Sequence, residues 1–153
     1  MKILYFGELV TLMEKNQLLE TVLSEPLSRL LVRDYVCMTG DDYFSHCLIE
    51  YNKRSGYRDI FIPGNLVPGL AEGHFLRQYR YALHINHGFQ IKLIKPLFPE
   101  DRIMVIDKIE EAKSDTRLII DNSSPVKIKR RIKNQENELT CLLYLDYLIR
   151  RNE

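Results

Sequence analysis

The stretch PGNLVPGLAEGHFL, residues 63–76, decides the fold. Its apolar residues recur at helical spacing and predict a helix of about four turns over residues 65–79, apolar around most of its circumference. Pro68 is compatible with this helix because proline is tolerated in a first turn. So apolar a helix must lie inside the domain, against a sheet.

After this helix the hydrophobic period changes from helical to strand-like. Apolar and polar residues alternate in four runs, with turn residues between them. The runs are Phe89–Leu93, Ile103–Ile109, Val126–Lys133 and Leu139–Ile149. They predict an antiparallel sheet of four or five strands. The fold class is therefore α+β, with a curved antiparallel sheet wrapped around one long apolar helix.

The first 63 residues predict helices followed by a long loop. Apolar spacing indicates one helix over residues 8–23 and a second from Pro26 to Gly40, where glycine suits a helix C-terminus. From Asp41 to Pro63 the periodicity fails, apart from a short helix near residues 48–53. Long loops in compact domains are usually functional, so the chemistry is expected here. No linker divides the chain, and residues 1–153 are predicted to form a single domain.

Composition and charge exclude several function classes. With 22 basic and 21 acidic residues the net charge is +1, which gives no general attraction to nucleic acid or to anionic membrane. No apolar run approaches a bilayer span, and the first eight residues are too short an apolar stretch for a signal peptide. The three cysteines lack CxxC spacing, so we expect reduced thiols in the cytoplasm and no zinc site.

One basic run, Lys127 to Lys133, stands out from this balance. As a strand it places its odd-numbered residues, all lysine or arginine, on one face. Such a face is usually solvated and discourages edge pairing. The alternative is contact with coenzyme A phosphates or with an acidic carrier protein; nucleic acid ranks below both because no aromatic residues alternate with the charges.

An acid and a histidine, Asp41 and His46, lie close together at the exit of the second helix. A carboxylate and an imidazole that share a water can abstract and return a proton near neutral pH. Gly64 follows at the start of the apolar helix, where unpaired backbone N–H groups carry partial positive charge and glycine permits close approach of an oxygen atom. A thioester carbonyl polarised there, with Asp41 and His46 beside the adjacent carbons, makes an enoyl hydration site.

The order of these motifs resembles the MaoC-like dehydratase family of hotdog fold. That family has Gly-Asp-x-Asn-Pro-x-His, then a Gly-Phe-like step, then His-Gly-Met-Leu opening the central helix. The matching residues here are Thr39-Gly40-Asp41, His46, Gly56-Tyr57 and Ile62-Pro63-Gly64-Asn65-Leu66. A later run, Phe89 to Asp101, is similar to the family's strand ending in Pro-Val-x-Pro-Gly-Asp. The resemblance covers residues 30–148 and leaves the N-terminal helical segment, residues 1–25, outside it.

The resemblance implies a fold, an activity and a set of partners. Asp41 and His46 would activate water across a trans-2-enoyl thioester, with the Gly64 N–H as oxyanion donor. The substrate would be an acyl thioester of coenzyme A or of an acyl carrier protein, as in fatty acid metabolism. The reaction needs no metal and no redox cofactor. Two subunits would pair their sheets, giving a homodimer or a dimer of dimers.

Departures from the family pattern keep other functions open. Tyr43 and Phe44 replace the Asn-Pro of the motif, and Pro63 replaces the histidine before the helix glycine. One alternative is therefore a non-catalytic hotdog module that binds thioesters or assembles. Another is a thioesterase with Asp41 or the helix acid Glu72 as base. The predicted substrate-binding residues are Tyr43, Phe44, Tyr57, Pro63 and Asn65, although the loop aromatics could equally pack on the sheet.

Overall fold

The computed structural model describes residues 2–82, 85–113 and 122–151. The elements, in chain order, are β1 (Lys2–Leu4), α1 (Phe6–Glu14), β2 (Leu18–Glu20), α2 (Arg29–Thr39), α3 (Phe44–Cys47), α4 (Ile49–Arg54), α5 (Leu66–Leu76), β3 (Tyr79–Tyr81), β4 (Ile85–Leu93), β5 (Ile103–Ala112), β6 (Ser123–Asn134) and β7 (Leu139–Arg150). No helix among these is long and apolar enough to cross a bilayer.

The main sheet has five strands in the order β2-β5-β6-β7-β4, and every neighbouring pair is antiparallel. The four long strands predicted from the alternating runs are confirmed. The inner residues of β5, β6 and β7 are buried, as in the cross-strand pair Ile128 and Leu145, whereas the residues of β4 are exposed or half-buried. Strand β4 lies at one edge of the sheet, and no described strand pairs with its outer side.

Helix α5 packs on the inner face of this sheet. Val67, Ala71, His74 and Phe75 are its buried residues, spaced so that they lie along one side of the helix. The helix is shorter than the predicted 65–79, because residues 79–81 form β3, which pairs in parallel with β1. The α+β class is confirmed, with a five-stranded antiparallel sheet and the apolar helix α5 packed against it.

The prediction of one helix over residues 8–23 is wrong in its second half. Helix α1 ends at Glu14, and Asn16 adopts a left-handed conformation with φ of 50° that stops the helix. Residues 18–20 then form β2, which pairs with β5 and buries Leu19 while its neighbours are exposed. His74 secures this segment to α5, since its Nε2 lies 2.7 Å from the carbonyl oxygen of Val22.

Helix α2 and the two short helices after it position the loop expected to carry the chemistry. The Ser28 hydroxyl accepts a hydrogen bond from Leu30 N–H and caps the start of α2. Gly40 ends the helix at φ of 72°, the left-handed conformation that glycine adopts without strain. The short helix predicted near residues 48–53 is confirmed as α4.

Candidate active site

A cavity of about 420 Å³ opens between α3, the start of α5 and the ends of β4 and β7. We call it the histidine cavity. It is lined by His46, Gly64 and Tyr43, by the apolar side chains of Phe61, Val67, Leu93 and Leu97, and by Cys141. Its size and its mostly apolar wall with a few polar groups are typical of small-molecule sites.

His46 is held in this cavity by a backbone contact. Its Nδ1 lies 3.0 Å from the carbonyl oxygen of Phe61. A carbonyl oxygen can only accept, so Nδ1 carries the proton and donates. In the neutral ring the lone pair is then on Nε2, the nitrogen that can act as a base. This geometry gives the imidazole a fixed orientation and one defined basic atom.

Asn52 positions the loop that holds His46. It is buried, and its amide donates to the carbonyl oxygens of Ser45 and Asp59, each at 2.8 Å. The Phe61 N–H also donates to Ser45 O at 2.7 Å. These bonds fasten residues 59–61 to α3, so the carbonyl that orients His46 is itself fixed. The sequence patterns did not reveal Asn52, because asparagine is an ordinary loop residue.

Gly64 lies at the entrance to α5, beside Leu93 of the edge strand. Gly64 lines the cavity, and none of the hydrogen bonds found among the described residues uses its N–H. A Cβ atom at position 64 would lie 2.4 Å from Leu93 Cδ1. A larger residue here would have to displace the end of the Leu93 side chain, whereas the backbone conformation itself needs no positive φ.

Asp41 lies next to the cavity-forming helix α3 but is not among the residues that line the cavity. Its N–H donates to the Thr39 hydroxyl at 3.3 Å. Its carboxylate is near Cys47, whose thiol pKa is raised first by burial and then by the charges of Asp42 and Asp41. The predicted pairing of Asp41 with His46 therefore stays a prediction.

The predicted substrate-binding residues occupy different environments. Tyr43 lines the histidine cavity with its ring centroid 6.4 Å from that of His46. Phe44 points to a separate open hollow and packs against Tyr51. Tyr57 stacks edge-on against Phe61 at 4.8 Å and so supports the cavity wall from behind. Pro63 is buried, Asn65 is exposed, and neither lines the cavity.

Cys141 also lines the histidine cavity, on β7. Burial raises the pKa of this thiol to about 11. Because the thiolate is the reactive form of cysteine, this residue is a weak nucleophile near neutral pH.

A buried ionic network lies further along α5, between the helix and the sheet. The Arg130 guanidinium donates to both carboxylate oxygens of Asp107, each at 2.7 Å, and also to Glu72. Tyr81 donates to Asp107 at 2.7 Å and Tyr147 donates to Glu72 at 3.0 Å. Burial alone would lower the pKa of Arg130, but the Asp107 charge and hydrogen bonds raise it well above its ordinary value.

Arg130 belongs to the basic run on β6 but points away from the other basic residues. Lys127, Lys129, Arg131 and Lys133 lie on the outer face as predicted, whereas Arg130 is 1% exposed. Its even position between Ile128 and Ile132 was the signal in the sequence, because alternate residues of a strand face opposite sides. The paired carboxylates, which lie on other elements, could not be identified from that pattern.

Comparison with known proteins establishes the fold. No family model and no curated protein matches the sequence. Among solved structures, the monoamine oxidase regulatory protein from Archaeoglobus fulgidus is 21% identical, with a TM-score of 0.77 over 100% of this chain and 98% of that one. The (R)-hydratase from Pseudomonas aeruginosa, in unliganded form, is 16% identical with a TM-score of 0.72, covering 97% and 86%. A MaoC-like dehydratase from Rhodospirillum rubrum is 13% identical with a TM-score of 0.76, covering 90% and 93%. These similarities confirm the hotdog fold predicted from the sequence.

Proposed function

We propose that the histidine cavity adds water to a 2-enoyl thioester, or removes it from a 3-hydroxyacyl thioester. The observation that carries the proposal is that His46 and the backbone of Gly64 line one apolar cavity. An oriented imidazole and an unpaired N–H at a helix start are the two groups this reaction needs. The fold shared with an (R)-hydratase and a MaoC-like dehydratase supports the same assignment.

In the hydration direction His46 moves the protons. Nε2 takes a proton from water as the water oxygen bonds to C3 of the enoyl chain. The π electrons move to C2 and the thioester oxygen, where the Gly64 N–H stabilises the enolate charge. The proton is then delivered to C2, which restores the neutral imidazole. Every atom added comes from one water molecule, and no oxidation or reduction takes place.

Asp41 is assigned as the second acid–base group by the family resemblance. Asp41 does not line the cavity, so we assign the proton transfers to His46. Substitution of Asp41 tests whether its carboxylate also contributes. Tyr43, which is 61% exposed at the cavity mouth, is proposed to cover the bound thioester. Phe44 faces away and takes no part.

The carrier is proposed to be coenzyme A or an acyl carrier protein. Lys95 lines the cavity and forms a salt bridge of 2.5 Å with Glu138, so a cation is present at the rim. Both carriers present a phosphate-bearing arm, and a lysine at the rim suits such a group.

We further propose that two copies pair through β4, as a homodimer or within a dimer of dimers. The side chains of Phe89 and Leu93 on this edge strand are 58% and 55% exposed, and Ile85 and Ile94 are also exposed. Large exposed apolar side chains along an unpaired edge favour association with a second sheet. A cytoplasmic location stays a prediction.

Two alternatives keep the fold and change the activity. A binding module is favoured by Tyr43 and Phe44, which replace the Asn-Pro of the hydratase motif. Thioester hydrolysis with Glu72 as base is disfavoured by geometry, because Glu72 is not among the residues lining the cavity that Gly64 lines. That arrangement would separate the base from the oxyanion donor.

The test is an assay with crotonyl-coenzyme A that follows enoyl absorbance and free thiol together. Hydration lowers the absorbance without releasing thiol, hydrolysis releases thiol, and a binding module does neither. His46→Ala is expected to lower kcat/KM by about a hundredfold or more, the usual contribution of a positioned acid–base group. Asp41→Asn tests the second group, and Asp42→Asn is its matched control. Unchanged turnover in His46→Ala would remove the proposal.

A further inference from the structure

A second cavity of about 250 Å³ lies beside α5, and we call it the glutamate cavity. Its walls include the apolar side chains of Phe89, Leu143 and Leu145. Its polar lining consists of Asn86 and the end of the ionic network, formed by Glu72, Arg130 and Tyr147. Arg130 and Tyr147 are each 1% exposed and are built into the core, whereas the Glu72 side chain is 26% exposed and so reaches the cavity opening.

The two cavities follow one another along the same pair of elements. In α5 the histidine cavity reaches Val67 and the glutamate cavity begins at Pro68. In β4 the first is lined by Leu93 and the second by Phe89. At about 1.5 Å per helical residue, Gly64 and Glu72 are about 12 Å apart. The four residues from Phe89 to Leu93 span about 13 Å at about 3.3 Å each, which agrees.

The glutamate cavity differs from a hydrocarbon site in its chemistry. A plain alkyl end would take water away from the Glu72 carboxylate without replacing its hydrogen bonds, which is unfavourable. A carboxylate only accepts hydrogen bonds, so the complementary group on a ligand is a donor. Glu72 is held by Arg130 and Tyr147, so its carboxylate is oriented before any ligand arrives.

We infer that the acyl chain of the substrate runs from the histidine cavity into the glutamate cavity and carries a hydroxyl group at its far end. The inference rests on the proposed function for the position of the thioester. A separation of about 12 Å corresponds to about eight to ten bonds of about 1.5 Å laid out in zigzag. The substrate class is therefore a medium-length acyl thioester with a terminal hydroxyl group, rather than a simple fatty acyl thioester.

The test measures binding, so that it does not depend on turnover. Two saturated ligands, 8-hydroxyoctanoyl-coenzyme A and octanoyl-coenzyme A, are titrated into the protein in a calorimeter. The hydroxylated ligand is expected to bind about tenfold more tightly, since a hydrogen bond to a charged group contributes about that much. Equal dissociation constants for the two ligands would overturn the inference.

Three variants locate the effect. Glu72→Gln keeps the shape of the side chain and removes its charge, so the preference for the hydroxylated ligand should fall severalfold. Gly69 also lines the glutamate cavity, and a side chain at this position would meet no other atom within 4 Å. Gly69→Leu should therefore fill the cavity and weaken both ligands about tenfold. Gly73→Leu is the matched control, on the same helix and in open space but lining neither of the two cavities.

The outcomes separate this inference from the proposed function. If Gly69→Leu and Gly73→Leu weaken binding of the two ligands equally, the proposed route of the acyl chain into the glutamate cavity is wrong. This holds even if crotonyl-coenzyme A is hydrated. A tenfold preference that depends on Glu72, with no hydration of the 2-enoyl form of the same hydroxylated ligand by the wild-type protein, would support the inference and remove the hydratase proposal. If Glu72→Gln proves unstable, Gly69→Leu alone still decides the route.

Discussion

The two cavities beside α5 hold polar groups under opposite constraints. In the histidine cavity the His46 ring is held, among the described residues, by one hydrogen bond from Nδ1 to a backbone carbonyl. In the glutamate cavity the carboxylate of Glu72 is fixed by a guanidinium and a phenol, and that guanidinium is itself fixed by Asp107. One end therefore presents an imidazole held at a single nitrogen, and the other presents a carboxylate whose position is set by two neighbouring side chains.

This difference matches what each end would do. Acid–base catalysis needs a side chain whose protonation changes easily at the working pH. Recognition of a ligand benefits from groups that are already oriented, because less conformational freedom is lost on binding. One end of α5 therefore faces the proposed acid–base group on α3, and we call it the reactive end. The other end carries the fixed carboxylate of Glu72, and we call it the rigid end. The following changes separate their contributions.

The largest effect is expected when the rigid end loses its cation. Arg130→Met keeps the apolar stem but leaves the carboxylates of Asp107 and Glu72 without their shared guanidinium. Breaking a buried pair in this way destabilises proteins by about 3–5 kcal/mol. The free energy of unfolding, measured by urea denaturation, should fall by that amount.

Arg131→Met, one residue along on the outer face, is the control for this change. Because that side chain lies outside the network, its effect should be within about 0.5 kcal/mol of wild type. A similar loss in both variants would mean that the buried network contributes little.

A smaller effect is expected at the reactive end when Gly64 gains a methyl group. In Gly64→Ala the new atom would overlap the end of the exposed Leu93 side chain, and turning that side chain out of its preferred rotamer is expected to cost about 0.5–1.5 kcal/mol. Adding Leu93→Ala to the same protein should remove the overlap and shift the urea midpoint back toward that of Leu93→Ala alone. Gly69→Ala, which meets no atom within 4 Å, should be neutral or slightly stabilising. A loss that persists in the double variant would show that Leu93 is not the cause.

The smallest effect is a pH dependence of stability at the rigid end. Burial raises the pKa of Tyr147 well above the ordinary tyrosine value of about 10. Above pH 10 the unfolded chain therefore loses this proton while the folded chain keeps it, so the free energy of unfolding falls as pH rises. Tyr147→Phe should make that fall shallower, by up to about 1.4 kcal/mol per pH unit.

Urea denaturation at pH 9, 10 and 11 measures this slope. Tyr144→Phe, on the same strand but with its side chain exposed on the outer face, should leave the slope as it is in the wild type. Equal slopes for wild type and Tyr147→Phe would show that the Tyr147 proton is not retained in the folded state.

Local patterns in the sequence were sufficient for the long elements of the fold. Strands β4 to β7 follow from alternation, and α2 and α5 follow from helical spacing with suitable end residues. The three-residue strands β1, β2 and β3 could not be predicted in this way. Each exists because a distant segment pairs with it, as residues 18–20 do with β5, and a short window contains no trace of that partner.

The candidate site was predicted in part. His46, Gly64 and Tyr43 were selected from the order of motifs, and they line the same cavity. The contacts that organise the site were not predictable: the hydrogen bond from His46 goes to a backbone carbonyl, which every residue possesses. Likewise the role of Arg130 depends on Asp107 and Glu72, which are distant in sequence and meet only when β5, β6 and α5 pack together.

Glu72 lies in α5 and Gly64 lies two residues before its start, so the distance between them is fixed largely by helical hydrogen bonds and not by a flexible loop. The distance between Gly64 and Glu72 can therefore change only when whole residues are inserted or removed. Inserting one helical turn after Gly69 would lengthen it by about 5.4 Å. The length of the accepted acyl chain would thus depend on the length of α5. The width of the path between the two cavities would depend on the side chains of β4, the strand that faces the helix.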